Sequence, residues 1–380
     1  MKDLWVFFSR RGFAVLSTPA TRRFVFGSVL AWLLGHLLIW IVVAQVDHRS
    51  WVAMLDHWDS GWYSKIVVRG YFWPAWAFYP LYPLIVKGLS TVFLLGGYPQ
   101  VVGSVLSTAL FVVFCHVVVR LDVRDQKLRM LIPTTRAGWL FFLLSPASFV
   151  FHSHHTESLF LLLTLLAFVF ALRPERGRWA LAAVIAGLAA LTRPQGIFLA
   201  VVTALGSSVT PAKLPWPRRA ARFAASGLMS GALFACYPLY QWCVAGDAWI
   251  SQSSQLHWRP EMTAGSFVRA LWFGNTWQQT DVGSLERHAG FFLLVAMTVA
   301  LARERRRLIA VFVGLCVAVM PASGEFVGVF RYGSVLFPLL FLAGDKVGRL
   351  PRALIIVIGC YWLHLNVSLT WRYVILRWCY

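Results

Sequence analysis

The stretch FVFGSVLAWLLGHLLIWIVVAQV, residues 24–46, contains no Asp, Glu, Lys or Arg. A helix needs about 20 apolar residues to cross the hydrocarbon core of a bilayer. Similar apolar runs recur along the 380-residue chain, which is 59% hydrophobic and only 13% charged. Backbone groups in lipid must form their hydrogen bonds within the protein, so repeated runs of this kind predict a helical bundle. The sequence therefore predicts an all-α polytopic membrane protein.

The net charge of +20 is distributed unevenly. Most of the Lys and Arg residues fall in six short clusters between apolar runs, at residues 2–23, 120–136, 173–178, 213–222, 303–307 and 346–352. Short cytoplasmic loops of membrane proteins collect Lys and Arg. The clusters therefore indicate membrane topology rather than a nucleic-acid interface, and they predict a cytoplasmic N-terminus. No nucleic-acid partner is expected.

Alternation of the apolar runs between these clusters predicts about 11 spans. The spans are 24–46, 100–119, 137–151, 158–172, 179–191, 197–209, 223–244, 289–302, 308–320, 333–343 and 353–369. Residues 78–95 are apolar enough to be counted as a further span, but that choice would place residues 120–136 outside the cytoplasm. We therefore predict that residues 78–95 form a helix on, or dipping into, the outer surface.

No polar stretch is long enough to fold separately, so residues 1–380 are predicted to form one integral-membrane domain. Two longer loops are predicted on the outer side. The first covers residues 47–99 and contains juxtamembrane helices, and the second covers residues 246–288.

The first outer loop holds the sequence HWDSGWY at residues 57–63 and FYPLYP at residues 78–83. It combines two carboxylates, Asp56 and Asp59, with aromatic residues and prolines beside the bilayer. Ionisable residues at membrane depth are costly and are candidate functional residues. We interpret Asp59 as a general base for an acceptor hydroxyl, with capping of a surface helix as the alternative. Asp56 either contacts substrate or is a solvated loop residue.

Arginines near the ends of predicted spans are candidates for binding a lipid phosphate. Arg193 and Arg331 each lie just before a helix start that contains Pro or Gly. A guanidinium group matches phosphate oxygens and stabilises the charge of a leaving phosphate. The alternative is that each side chain extends to lipid headgroups. Arg259, in the second outer loop, is a third candidate.

Residues 152–157 contain three histidines followed by Glu157. Their spacing matches no specific zinc signature, so we predict no metal site and no cofactor, and metal dependence is left open. We interpret the segment as the lining of a polar cleft in which His155 and Glu157 contact substrate. His257 is a further candidate for substrate contact, and the alternative is that Trp258 beside it is an interfacial anchor.

Two nucleotide-binding motifs are missing from the sequence. There is no Walker A loop and no G-x-G-x-x-G motif that opens a helix after a strand. An activated sugar or acyl group would therefore have to arrive on a membrane lipid.

Four short motifs follow one another along the chain: WD at 58–59, TESLF at 156–160, GLAALTRPQG at 187–196 and RY at 331–332. Their order resembles that of the motif blocks of the GPI mannosyltransferase II (PIG-V) family, and bacterial relatives share the pattern. The likeness is specific from about residue 57 to residue 200. The chain departs from eukaryotic members at Ser60-Gly61 and Pro194-Gln195, so a GPI precursor is not the expected acceptor.

The resemblance implies a GT-C type membrane glycosyltransferase. Such enzymes move a sugar, here mannose, from a polyprenyl-phosphate donor to an acceptor hydroxyl on the non-cytoplasmic side, usually with inversion. The family's first-loop acidic residue corresponds to Asp59. Tyr79, Tyr82 and Gln195 would then help Glu157 to orient the sugars.

The partners implied are a lipid-linked sugar donor, a lipid, glycan or protein acceptor, and membrane lipids. The compact chain favours a bacterial-type member in the cytoplasmic membrane, with its site facing the periplasm or exterior. The alternative from another class is a transporter or flippase of a lipid-linked sugar. That function would require ionisable residues near the middle of the bilayer and paired repeat halves, whereas the polar residues here gather at one predicted face.

Overall fold

A computed structural model describes residues 19–48, 50–121, 125–209, 214–258, 264–271, 284–304, 306–323, 326 and 328–377. Regular structure within these ranges is entirely helical, which confirms the predicted fold class. The α-helices are α1 (Pro19–Val46), α2 (Asp59–Arg69), α3 (Leu81–Val92), α4 (Pro99–Arg120), α5 (Arg136–Leu143), α6 (Glu157–Leu172), α7 (Arg178–Ala190), α8 (Gln195–Val209), α9 (Trp216–Ala245), α10 (Ile250–Gln255), α11 (Ala264–Leu271), α12 (Ser284–Arg303), α13 (Arg307–Ala318), α14 (Val329–Ser334), α15 (Phe337–Val347) and α16 (Arg352–Val374).

Five helices are long and apolar enough to cross a membrane, namely α1, α4, α9, α12 and α16. The shorter apolar helices are α3, α6, α7, α8 and α13. Apolar side chains on α1 are turned away from the protein: Leu30 is 57% exposed and Leu38 is 60% exposed. Such a surface fits lipid better than water. The chain is thus an integral multi-pass membrane protein, and the number of about 11 spans stays a prediction.

Helix α6 forms the centre of the bundle. All of its residues from Glu157 to Leu172 are buried except Leu166, and it packs against α4, α7 and α8. A helix that is apolar on every side is stable when neighbours cover all of its faces. Because α6 begins at Glu157, this packing also fixes the position of that carboxylate at one end of the bundle.

Two predicted spans are interrupted, and the prediction of continuous helices there is wrong. Residues 137–151 form α5 and then a 3-10 helix, Ser148–Phe151, with Pro146 in the gap. Proline lacks the N–H group that a continuing helix needs. In the segment 333–343, α15 starts only at Phe337, with a proline in its first turn, where proline is favoured. The short helix α14 packs against the 3-10 helix, so the two breaks meet at the same end of the bundle.

The first outer loop, residues 47–99, contains two 3-10 helices, Ala53–Leu55 and Ala75–Ala77, together with α2 and α3. Helix α3 lies within the segment that we predicted as a surface helix. Its 12 residues extend about 18 Å, which is less than the hydrocarbon core of about 30 Å. Helices α2, α3 and α4 pack against one another, so the loop is an ordered cap over this end of the bundle.

Candidate functional site

Four charged side chains from separate elements meet where the first outer loop caps the bundle. Glu157, the first residue of α6, lies between two guanidinium groups. Its Oε1 atom is 2.5 Å from Arg193 Nη1 and 2.5 Å from Arg331 Nε. Arg331, in α14, also places its Nη1 atom 2.5 Å from Asp59 Oδ2. The four groups thus form a network, Asp59–Arg331–Glu157–Arg193, in which charges alternate in sign.

Burial divides the network into an inner part and an outer part. The side chain of Glu157 is fully buried, and those of Arg193 and Arg331 are 7% and 6% exposed. Buried charges are tolerated when they are paired and hydrogen-bonded. The Asp59 side chain is 30% exposed, so this carboxylate is the member of the network that a hydroxyl group from solvent can reach.

The backbone before Asp59 has an unusual conformation. Trp58 has φ 51° and ψ −131°, a region that residues other than glycine rarely adopt. Such a conformation costs about 1–3 kcal/mol and occurs often at functional sites. Helix α2 begins at Asp59, so the partial positive charge of the helix N-terminus also favours this carboxylate. The loop therefore holds Asp59 at the edge of the network at an energetic cost.

Arg193 is held in the turn between α7 and α8. Its Nη1 atom donates to Thr156 Oγ1 at 3.1 Å. Its guanidinium carbon lies 5.4 Å from the ring centre of Tyr332 and 6.0 Å from that of Phe160. The Nε atom of Arg193 is buried without a hydrogen-bond partner in the described part of the chain. The aromatic rings support the guanidinium and leave one of its donors available.

The same turn depends on a glycine. A Cβ atom on Gly196 would lie 2.2 Å from Ala190 N and 2.4 Å from Ala189 O, which requires α7 and α8 to move apart. We expect Gly196→Ala to lower the free energy of unfolding by about 2 kcal/mol, measured by thermal unfolding in detergent. The matched control is Gly227→Ala in α9, where a Cβ would meet nothing within 4 Å. Equal melting temperatures for the two variants would contradict this account of the turn.

The histidines of residues 152–157 point to different partners. His152 Nε2 is 2.7 Å from His36 Nδ1, His154 Nδ1 is 2.9 Å from Tyr82 OH, and His155 Nδ1 is 2.8 Å from Ser153 Oγ. Burial, together with the Arg331 guanidinium, holds the pKa of His155 well below its usual value. Within the described ranges, no group of three or more His, Cys, Asp and Glu side chains is arranged to hold a metal ion. The histidines fix the loop that carries Glu157.

The two tyrosines predicted to orient sugars lie at different depths. Tyr82 is fully buried, and its hydroxyl group is 3.0 Å from Gly103 O. Tyr79 is half-buried, with its ring centre 5.5 Å from that of Tyr237 in α9. Tyr82 therefore supports the histidine loop from within the core, and contact between either tyrosine and a sugar stays a prediction.

Gln195 and Asp56 are predicted substrate contacts that lie close in sequence to Arg193 and Asp59 of the network. Gln195 is the first residue of α8, and its Oε1 atom is buried without a hydrogen-bond partner among the described residues. An unpartnered buried acceptor is costly and is a reasonable contact for a substrate hydroxyl. Asp56 is exposed at the end of a 3-10 helix. Its contact with substrate stays a prediction.

The second outer loop reaches the first through Trp258. The ring of Trp258 makes edge contacts with Trp62 at 5.4 Å and Phe78 at 5.6 Å. His257 is exposed, with its ring 4.9 Å from Trp258. Arg259, the third predicted phosphate ligand, lies outside the described residues. The aromatic contacts bring His257 close to the loop that carries Asp59.

Some contacts of the network were missed by reasoning from the sequence. Thr156 accepts a hydrogen bond from Arg193, and Tyr332 lies against the same guanidinium. Both residues belong to the sequence motifs TESLF at 156–160 and RY at 331–332. Membership of these motifs was the signal that could have identified them. Tyr373, in α16, has its hydroxyl group 3.0 Å from Ser60 Oγ, and no local pattern in the C-terminal helix marks it.

One comparison with known proteins gives a match. Residues 30–207 match the family model described as Mannosyltransferase (PIG-V). The matched region contains Asp59, Glu157 and Arg193, and Arg331 lies beyond it. No curated protein and no solved structure gives a significant match. Over the matched region the chain is similar to the mannosyltransferase (PIG-V) family, and this similarity supports a membrane glycosyltransferase.

Proposed function

We propose that the chain transfers mannose from a polyprenyl-phosphate donor to an acceptor hydroxyl on the non-cytoplasmic side, with inversion at the anomeric carbon. The observation that carries this proposal is the network itself, in which one accessible carboxylate adjoins two buried guanidinium groups. A carboxylate beside solvent suits a general base. Guanidinium groups in a water-poor site suit a phosphate leaving group.

The leaving phosphate would bind Arg331 and Arg193. Each guanidinium group has more donors than its carboxylate partners occupy, and Arg193 Nε is buried without a partner within the described residues. Arg259, from the second outer loop, would add a third cation. These groups stabilise negative charge most strongly when water is excluded, which fits the burial of both arginines.

Donor binding would also activate the base. In the structure the Arg331 guanidinium binds Asp59 Oδ2, so this oxygen is occupied by the arginine and is not available to the acceptor. A phosphodiester competes for the same Nη1 donor. When it displaces Asp59 from Arg331, the carboxylate is released and turns to the acceptor hydroxyl. We therefore infer that the donor binds before the acceptor is deprotonated.

The reaction is a single displacement. The acceptor oxygen attacks the anomeric carbon as Asp59 takes its proton, and the bond from that carbon to the phosphate oxygen breaks. The polyprenyl phosphate leaves with the electron pair and is held by the arginines. Glu157 is fully buried between two guanidinium groups, so it is poorly placed to form a covalent sugar intermediate. A single in-line step without such an intermediate inverts the anomeric centre.

The remaining predicted substrate contacts are proposed to orient the sugars and the acceptor. Gln195 offers an acceptor atom that has no partner among the residues the structure describes, and His155 lies in the loop that carries Glu157. Asp56, Tyr79, Tyr82 and His257 complete the proposed set. The basic clusters favour a cytoplasmic N-terminus, which would turn the network to the periplasm or exterior of a bacterial cytoplasmic membrane.

Transfer can be tested with the purified full chain in detergent. The protein would be incubated with radiolabelled polyprenyl-phosphate mannose, glucose or arabinose and a membrane lipid extract, and the products separated and their anomeric configuration determined by NMR. We expect a new glycosidic bond, of inverted configuration, from the mannosyl donor. Product from a nucleotide sugar alone would contradict the proposed donor. Movement of the intact donor across vesicles without any product would favour the transporter alternative.

A further inference from the structure

A second polar site lies at the opposite end of α15 from Arg331. A cavity of about 430 Å³ opens there, lined by four cations and two carboxylates: Arg129, Arg306, Lys346, Arg349, Glu304 and Asp345. Helix α15 has 11 residues and extends about 16 Å. The cavity is therefore separate from the network that contains Asp59.

The Asp345 carboxylate at this site is fully engaged within the protein. Its Oδ2 atom accepts from the N–H and hydroxyl groups of Thr134 at 2.8 and 2.7 Å, and its Oδ1 atom accepts from those of Thr135 at 2.8 and 2.7 Å. These bonds join the end of α15 to the start of α5. Asp345 thus anchors two helices, and its charge offsets only one of the cations around it.

The Glu304 carboxylate is shared between two cations. Arg306 Nη2 lies 3.1 Å from Glu304 Oε2, and Lys346 Nζ lies 3.6 Å from Glu304 Oε1. Burial lowers the pKa of Arg306, Glu304 and Asp345 oppose this shift, and the Arg129 guanidinium adds to it. Four cations are thus crowded together in this cavity, and its two carboxylates do not balance them.

Arg129 and Arg349 are the remaining cations. Neither forms an ion pair with another residue in the described part of the chain. Arg129 belongs to the 3-10 helix Arg129–Leu131, whereas Arg349 follows α15. Two guanidinium groups from different segments thus converge on a concave surface with a net positive lining, where an anion would be attracted by both.

We propose that this cavity binds a phosphate-bearing anion, from either an anionic lipid headgroup or free phosphate in solution. Its volume falls within the range of small-molecule sites, about 300–1,000 Å³, which accommodates a glycerophosphate headgroup. Basic pockets between the ends of membrane helices are suited to such headgroups. The bound group would bridge the segment after α4, the α12–α13 turn and the end of α15.

The test uses the full chain in neutral detergent, with thermal unfolding as a readout that does not depend on catalysis. Phosphatidylglycerol, phosphatidylcholine and inorganic phosphate are titrated separately. We expect phosphatidylglycerol or phosphate to raise the melting temperature by several degrees, and Arg129→Gln/Arg349→Gln to raise the concentration needed at least about tenfold. Arg307→Gln/Arg352→Gln, which changes two cations outside the cavity lining, should respond as the native chain does.

The titrations also distinguish the two sources of the anion. A shift with phosphatidylglycerol and none with phosphate assigns the site to a lipid headgroup, and a shift with phosphate alone assigns it to a soluble anion. Equal shifts with phosphatidylcholine and phosphatidylglycerol, without a phosphate effect, would overturn the proposal, as would an unchanged response in the Arg129/Arg349 variant. If that double variant does not fold, the exposed Arg349→Gln change alone is compared with Arg352→Gln on the same criteria.

Discussion

Asp59→Asn is expected to lower the rate of sugar transfer by at least about 10³-fold, within the range that general-base catalysis contributes. Asparagine keeps the size of the side chain and its contact with Arg331, but it has negligible affinity for a proton. Donor binding should therefore persist while the acceptor hydroxyl is no longer deprotonated. The measurement is the initial rate at saturating donor, together with the affinity for the labelled donor and the melting temperature.

The matched control is Asp47→Asn, which neutralises an exposed carboxylate in the same loop outside the network. This variant should transfer sugar at the native rate. Asp59→Glu should recover part of the activity, because it restores a carboxylate one methylene further from the backbone. A fully active Asp59→Asn enzyme would remove Asp59 from the role of base without affecting the family similarity of residues 30–207.

Glu157→Gln is expected to lower the free energy of unfolding by about 3–5 kcal/mol, because loss of one partner leaves buried charges uncompensated. In the native chain the carboxylate of Glu157 contacts Arg193 and Arg331 together. Its neutral replacement leaves two nearly buried guanidinium groups with Asp59 as the single carboxylate of the network. Both stability and transfer activity should fall, and thermal unfolding in detergent measures the former.

A double variant separates charge imbalance from loss of shape. Glu157→Gln/Arg193→Gln restores equal numbers of positive and negative groups in the network, so it should be more stable than Glu157→Gln alone. Glu175→Gln serves as a surface control. The Glu175 side chain is 61% exposed and lies 4.0 Å from Lys127, and such pairs contribute at most about 1 kcal/mol. A Glu157→Gln protein as stable as the Glu175→Gln protein would contradict the structural role assigned to the network.

Much of the candidate site could be predicted from the sequence, because charged residues are rare beside apolar runs. Asp59, Glu157, Arg193 and Arg331 stand out on that criterion alone. Their pairing could not be predicted in the same way. Asp59 and Arg331 are 272 positions apart in the sequence. Whether two residues so far apart come into contact depends on how the helices pack. Tyr373 shows the limit clearly, since nothing near it in the C-terminal helix suggests contact with the first outer loop.

The helical fold followed from hydropathy, but the interruptions did not. Residues 137–151 are apolar throughout most of their length, and that pattern outweighed the proline at position 146 in the prediction of a span. In the structure the helix stops before this proline, since α5 ends at Leu143. Helix α6 has only 16 residues, about 24 Å, so its length does not decide whether it crosses the membrane alone. Short, tightly covered helices of this kind are why the number of spans does not follow from hydropathy.

The central position of α6 has a consequence for biosynthesis. Glu157 emerges from the ribosome long before Arg331, which is encoded 174 positions later. Until α14 is made, the carboxylate at the start of α6 has only Arg193 as a cationic partner from the network, and the surrounding helices cannot close over it without cost. We expect nascent chains that stop before α14 to leave this end of the bundle open and susceptible to quality-control proteases. The last cation to be synthesised would then both complete the charged network and allow the bundle to close.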